Sequence, residues 1–228
     1  NKMTTGHLFI KVSMQVKQRA RSKLEKLRRK DAILAAAETL LRHSGHEAMT
    51  MQNVAEESGL GKGTLYLYFS CRELLVLEVY GRLFDRWIDR LASQVPTLTG
   101  VEQFCRDFYI FYTDDRLYLQ LSGFVTPLME PQIDPESYIK FKRAMASRIK
   151  KLAGIAYCRL GMSPTLAQKF VWGLLTIASG ATQMTILPRF TNENLPEDVT
   201  AFIRSTDFET VFLNAALPLY AGMKQADR

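Results

Sequence analysis

Cysteine is scarce in this 228-residue chain, which holds only Cys71, Cys105 and Cys158. Three thiols far apart and without a CxxC pair exclude a disulfide framework, a zinc finger and a thioredoxin-type motif, and they suit a reducing cytoplasm. Alternating apolar and polar runs between hairpin turns are missing, and with them the signal for β-sheet. No internal repeat or low-complexity tract occurs. The apolar run Leu8, Phe9, Ile10 ends at Lys11, too short for a signal-peptide core. The longest uncharged stretch, residues 170–188, is nineteen residues long but carries Gly173, Thr176, Ser179, Gly180, Thr182, Gln183 and Thr185, so it reads as a buried helix rather than a membrane span. Nucleophile–base pairs are lacking too. Asp114-Asp115 and Glu56-Glu57 are neighbours that would point apart on a helix, and His43 with His46 lack a third metal ligand. No metal, cofactor, catalytic centre or membrane partner is expected.

What the chain does have is charge at one end. Residues 1–80 carry 13 Lys/Arg against 8 Asp/Glu, a net +5, whereas residues 81–228 carry 17 against 15, a net +2. Ten of the basic residues precede Asp31, opposed only by Glu25. Such an end seeks phosphate, on nucleic acid or an anionic membrane surface. We expect residues 1–21 to be disordered when free and to lie along a nucleic-acid backbone or minor groove when bound. With 47% hydrophobic and 23% charged residues, the remainder is an ordinary globular chain with a sizeable core.

Helical periodicity runs throughout. A first helix is predicted from Ser22, where Ser22 and Glu25 make a capping box, to a stop at Gly45. Thr50 caps a short helix over residues 51–58, Gly59-Leu60-Gly61 forms a turn, and residues 62–69 give two more helical turns. Ser70 and Glu73 open a long helix that ends near Pro96. Prolines 127, 131 and 135 mark a loop region. Further helices are predicted over 136–160, 164–185 and 207–225, with Pro218 a kink in the last and residues 188–199 a polar loop.

Two short helices joined by a glycine turn, with Val54 and Ala55 able to pack on Leu65, meet the requirements of a helix-turn-helix. The second helix would then enter the major groove and present Lys62, Gly63, Thr64, Tyr66 and Leu67 near its start, with Tyr68 and Arg72 next to phosphates. A phosphate-binding loop is the rival reading of the glycines. It fails because Glu56 and Gly63 stand where that motif needs glycine and Ser/Thr.

The run from Ala55 through Gly63-Thr64-Leu65-Tyr66-Leu67-Tyr68-Phe69, followed by Arg72-Glu73-Leu74-Leu75 and preceded upstream by Ile33-Leu34-Ala35-Ala36-Ala37 and Gly45, strongly resembles the DNA-binding domain of the TetR family of bacterial transcriptional regulators. The likeness covers about residues 28–80. It implies recognition-helix contacts from Lys62, Thr64 and Tyr66, and phosphate contacts from Thr50, Tyr68 and Arg72. Two departures stand out: Gly61 occupies a position where a capping serine or alanine is common, and His46 replaces the usual aromatic. The resemblance further implies an all-α fold, with a basic extension (1–27), a three-helix DNA-binding domain (28–75) and a helical ligand-binding and dimerisation domain (76–228).

In that last domain, aromatic and methionine side chains at Phe104, Phe108, Phe111, Tyr112, Tyr118, Met145, Trp172 and Met184 are the expected walls of a pocket, with Gln120 or Gln183 supplying polar contacts. Small residues Gly173, Thr176 and Gly180, with Phe208, Val211, Phe212, Ala215 and Leu219 on the final helix, are the expected dimer interface. The functional expectation is a homodimeric repressor released from a palindromic DNA operator by a small apolar or aromatic effector. An activator or ligand-independent regulator is the alternative of the same fold. An enzyme using the helical cavity and a membrane-surface protein are the rivals from other classes.

Overall fold

The computed structural model describes residues 3–93, 98–123, 125, 129–185, 195–205 and 207–226; the side chains of residues 3–22, 47, 48, 185 and 203–205 are outside that description. The predicted breaks at Pro96 and Pro127, and most of the predicted 188–199 loop, lie outside the described residues. Regular structure among the described residues is helical, so the fold is all-α. The chain divides into two compact units, residues 1–75 and 76–228.

The first unit holds α1 (Met3–Ala48), α2 (Met51–Glu57) and α3 (Lys62–Tyr66). Helix α1 does not begin at Ser22 as predicted. It is continuous from Met3, because proline is absent before residue 96 and Lys, Arg, Gln and Met favour helix. The helix takes in residues 3–21, which were expected to be disordered when free. At Gly45 (φ 74°) the helical path is interrupted at the predicted stop, in a left-handed conformation that side chains other than glycine resist. Ile33, Leu34, Ala36, Ala37 and Leu41 form the buried stripe of α1, and Val54, Ala55 and Leu65 close the core of the unit from the two short helices.

The second unit is built from most of α4 (Arg72–Ser93), then α5 (Val101–Asp114), α6 (Arg116–Ser122), a 3-10 turn (Glu130–Gln132), α7 (Pro135–Leu160), α8 (Pro164–Thr185), α9 (Glu197–Ser205) and α10 (Phe208–Ala226). Local caps set its helix starts. Asp134 accepts from Ser137 N at 3.0 Å, Ser163 from Leu166 N at 3.2 Å and Asp207 from Thr210 N at 3.0 Å. Helix α9 takes in only the last three residues, 197–199, of the predicted polar loop: Glu197 and Asp198 follow Pro196 and complement the positive end of a helix dipole. Helix α8 packs on both α7 and α10. Phe104 lies against Phe170 (6.3 Å between centroids) and Phe108 against Phe212 (5.5 Å), tying α5 to α8 and α10. The buried Arg159–Asp107 ion pair joins α7 to α5, and its guanidinium stands 5.4 Å from the Phe104 ring centre.

Candidate nucleic-acid interface and ligand cavity

The recognition segment is assembled by local hydrogen bonds. Thr50 caps α2 by accepting from Asn53 N at 3.1 Å. At the other end, Gly59 N donates to Glu56 O (3.1 Å) and Leu60 N to Ala55 O (3.0 Å), a Schellman ending that needs the positive φ of Gly59 (66°). The turn then delivers α3 with Leu65 fully buried as its anchor. Helix α3 is shorter than the predicted 62–69, since Leu67 N and Tyr68 N turn back to Thr64 and Leu65 carbonyls.

Leu65 fixes which side of α3 faces outward. Lys62 and Gly63 are exposed, Thr64 is half-buried, Tyr66 is 47% exposed and Leu67 84% exposed. A Cβ built on Gly63 would meet nothing within 4 Å, so the fold itself does not require glycine there. A lysine, a hydroxyl and an aromatic on one short exposed helix with no side chain beside Gly63 suit close approach to base edges and phosphates. Arg72 is partly engaged: Nε bonds Glu73 Oε1 at 3.1 Å and Nη1 reaches His46 O at 3.5 Å. His43 Nδ1 lies 2.8 Å from Thr39 O, and no cluster of three metal-ligating side chains occurs among the described residues.

Helix α1 sorts three of the basic residues that precede Asp31 onto one side. Lys23, Lys26 and Lys30 fall within about 60° of one another on a helix, the same sector as Leu34, Ala37 and Leu41. The stripe that is apolar and buried over residues 34–41 is therefore cationic over residues 23–30. Lys30 Nζ stands 5.6 Å from the Phe69 ring centre, which puts this stripe on the side where the chain leaves α3.

The second unit holds a partly open cavity of about 680 Å³. Tyr80 and Phe84 of α4, Tyr112 of α5 and Tyr118 and Ser122 of α6 line it on one side. Phe141, Lys142, Met145 and Ile149 of α7 face Trp172, Leu175, Thr176, Ser179, Gly180 and Gln183 of α8, with Glu130 between. Tyr80 and Tyr118 stack with centroids 5.3 Å apart. Burial pushes both phenols up from their ordinary pKa, so they remain neutral hydrogen-bonding groups. Tyr112 donates to Ser122 Oγ at 3.0 Å, and the buried Tyr118 hydroxyl interacts with Tyr80 and Trp87.

Of the eight predicted pocket residues, Tyr112, Tyr118, Met145 and Trp172 reach this cavity. Phe104 and Phe108 do not: both are fully buried, their rings spent on packing against α8 and α10. Phe111 is also away from it, with Arg90 5.1 Å above its ring, and Met184 is 72% exposed on the surface. Gln120 is absent from the lining, while Gln183 is present. Residues Tyr80, Phe84, Glu130, Phe141 and Lys142 were missed because their convergence is tertiary and leaves no periodic trace.

The predicted interface residues also separate. A Cβ on Gly173 would collide with Leu219 of α10, so these two make a close helix crossing within one chain. Phe212 is fully buried against Phe108, and Phe208 packs with Tyr109 and Tyr112. Val211 is half-buried, whereas Thr176, Gly180 and Ala215 are exposed. Thr176 and Gly180 also edge the cavity.

A helix-turn-helix followed in the chain by a larger all-helical unit with its own cavity defines a two-part, all-α class of protein. Residues 33–79 match the family described as bacterial regulatory proteins, tetR family, and residues 81–227 match the tetracyclin repressor-like, C-terminal domain. The chain belongs to the TetR family. It is similar to the uncharacterized HTH-type transcriptional regulator YfiR of Bacillus subtilis, at 40% identity over 68 residues, covering 30% of this chain and 31% of that protein. It is similar also to the HTH-type transcriptional repressor KstR2 of Mycolicibacterium smegmatis, at 31% identity over 81 residues, covering 32% and 39%. The chain thus spans about a third of the length of these curated relatives. A solved transcriptional regulator from Rhodococcus sp. Rha1 shares the fold, with a TM-score of 0.57 at 14% identity over 85% of this chain and 96% of that one.

Proposed function

We propose that this chain is a transcriptional regulator that binds a palindromic DNA operator as a homodimer and is released by a small molecule held in the cavity of its second unit. The observation that carries the reading is the outward face of α3, where Lys62, Thr64 and Tyr66 flank a glycine that the fold does not need. Lys62, Thr64 and Tyr66 read base edges in the major groove, and Gly63 lets the backbone approach. Thr50, Tyr68 and Arg72 hold phosphates. Lys23 and Lys26 add contacts to the flanking backbone. Repression is the mode we favour, a reading supported by the repressor KstR2, a relative matched over part of the chain. Acting on DNA, the protein works in the cytoplasm, and we assign it no catalytic activity. Among the described residues, no helix is long and apolar enough to cross a membrane.

Dimerisation is assigned to the outward faces of α8 and α10, where Thr176, Gly180 and Ala215 are exposed. Small residues there let a partner helix approach closely. An effector in the cavity touches Tyr80 and Phe84 of α4, the helix whose first turn belongs to the DNA-binding unit. Displacing α4 would shift two recognition helices away from successive major grooves about 34 Å apart.

Selection from a random duplex pool, followed by titration of the enriched sequence, tests the reading. It predicts an inverted repeat bound by a dimer; recovery of no sequence from the pool would overturn it. Gly180→Leu isolates the dimer claim, because a Cβ there meets nothing within its own chain. Sedimentation should show monomers that no longer bind the operator, and a normal dimer would reassign the interface.

A further inference from the structure

The cavity carries one ion pair, and the two partners are unequal. Glu130 is only 7% exposed, and both of its carboxylate oxygens are held by Lys142 Nζ, at 2.9 and 2.7 Å. Lys142 has a side chain 42% exposed and extends from α7 toward solvent as well as toward the cavity, with its Nζ 5.4 Å from the Tyr138 ring centre. Glu130, in the short 3-10 turn that ends at Gln132, is buried by contrast.

This asymmetry selects the charge of a ligand. An anion that captured Lys142 would leave a buried carboxylate without its counter-charge, one of the costliest arrangements a protein interior can hold. A cation that captured Glu130 would keep the carboxylate paired and release Lys142 into water, where an ammonium is well solvated. The surrounding rings favour the same sign: Tyr80, Tyr118 and Trp172 line the cavity, and aromatic faces attract cations.

We propose that the effector is an aromatic or apolar organic cation whose ammonium or amidinium group displaces Lys142 from Glu130. The inference rests on the effector-cavity reading above and specifies its ligand class. It assigns Glu130 as the recognition group and Lys142 as an internal stand-in for the ligand.

Three probes of one shape and different charge test it by calorimetry on the full chain at neutral pH: biphenyl-4-methylammonium, biphenyl-4-methanol and biphenyl-4-carboxylate. The ammonium is expected to bind at least about tenfold more tightly than the carboxylate, and Glu130→Gln is expected to abolish that preference while leaving the neutral alcohol within about twofold. Binding of the alcohol also reports that the variant keeps its cavity. Lys142→Met should tighten the ammonium, because Glu130 then waits without a partner. A carboxylate preference in the wild type, an ordering unchanged by Glu130→Gln, or weaker ammonium binding in Lys142→Met would overturn the proposal and leave the cavity reading intact. Failure of all three probes to bind the wild type would overturn both.

Discussion

The two units of this chain place their distinctive side chains in opposite ways. In the first, Lys62, Gly63, Tyr66 and Leu67 point outward, and only Leu65 of α3 is fully buried. In the second, Phe104, Phe108, Tyr112, Tyr118, Phe170 and Phe212 turn inward and touch one another. The difference separates two uses of an aromatic residue. Where a ring is exposed on a rigid short helix, its packing does not explain it; where it is enclosed, packing explains most of it and function must be sought at the cavity edge.

Breaking the inward arrangement should produce the largest effect. Phe108→Ala removes a fully buried ring that stacks on Phe212 and meets Trp87 edge-on at 5.3 Å. Denaturant unfolding should show a loss of about 3–5 kcal/mol from the second unit. A loss below about 1 kcal/mol would mean that the ring is not core.

Gly173→Leu is next. The new side chain must displace Leu219, and overpacking of this kind costs about 1–3 kcal/mol. Gly154→Leu, at an exposed position of α7 where a Cβ meets nothing within 4 Å, is its control and should leave stability nearly unchanged. Equal losses in both would show that the α8–α10 crossing is not set by Gly173.

In the first unit, local capping adds to the packed core. Thr50→Ala should cost about 1 kcal/mol through the lost bond to Asn53 N, read as a lower unfolding midpoint. Thr50→Ser, which keeps the acceptor, should recover most of it. The smallest structural effect is expected from Lys23→Gln with Lys26→Gln: no change in unfolding, but a salt dependence of DNA binding reduced by about two charges. An unchanged slope would remove the lysine stripe from the interface.

The same contrast explains what could be read in advance. Short helices in the first unit are bounded by residues whose effects are local: Thr50 as a cap, and Gly45 and Gly59 in left-handed conformations. In the second unit, the starts at Ser163 and Asp207 were legible for the same reason. Contacts between helices were not. Neither the collision that keeps residue 173 a glycine nor the meeting of Glu130 with Lys142 has a sequence period. The long α1 was misjudged because a serine–glutamate capping pattern occurs at Ser22 inside an uninterrupted helix, where nothing before it breaks the chain. The aromatic cluster was overextended into the cavity because Phe104, Phe108 and Tyr112 follow one stripe of α5: the first two rings are spent on α8 and α10, while Tyr112, one turn further on, reaches the cavity.

The central claim is that the exposed face of α3 exists to read DNA and contributes little to the fold. It is tested most directly by measuring, for the wild type, Lys62→Ala and Tyr66→Ala, the affinity ratio between the selected operator and a base-substituted operator alongside each unfolding curve. The account predicts that each substitution erodes discrimination by about 1–3 kcal/mol while the unfolding midpoint stays put. Discrimination that survives both substitutions, or that falls only in step with stability, would contradict it.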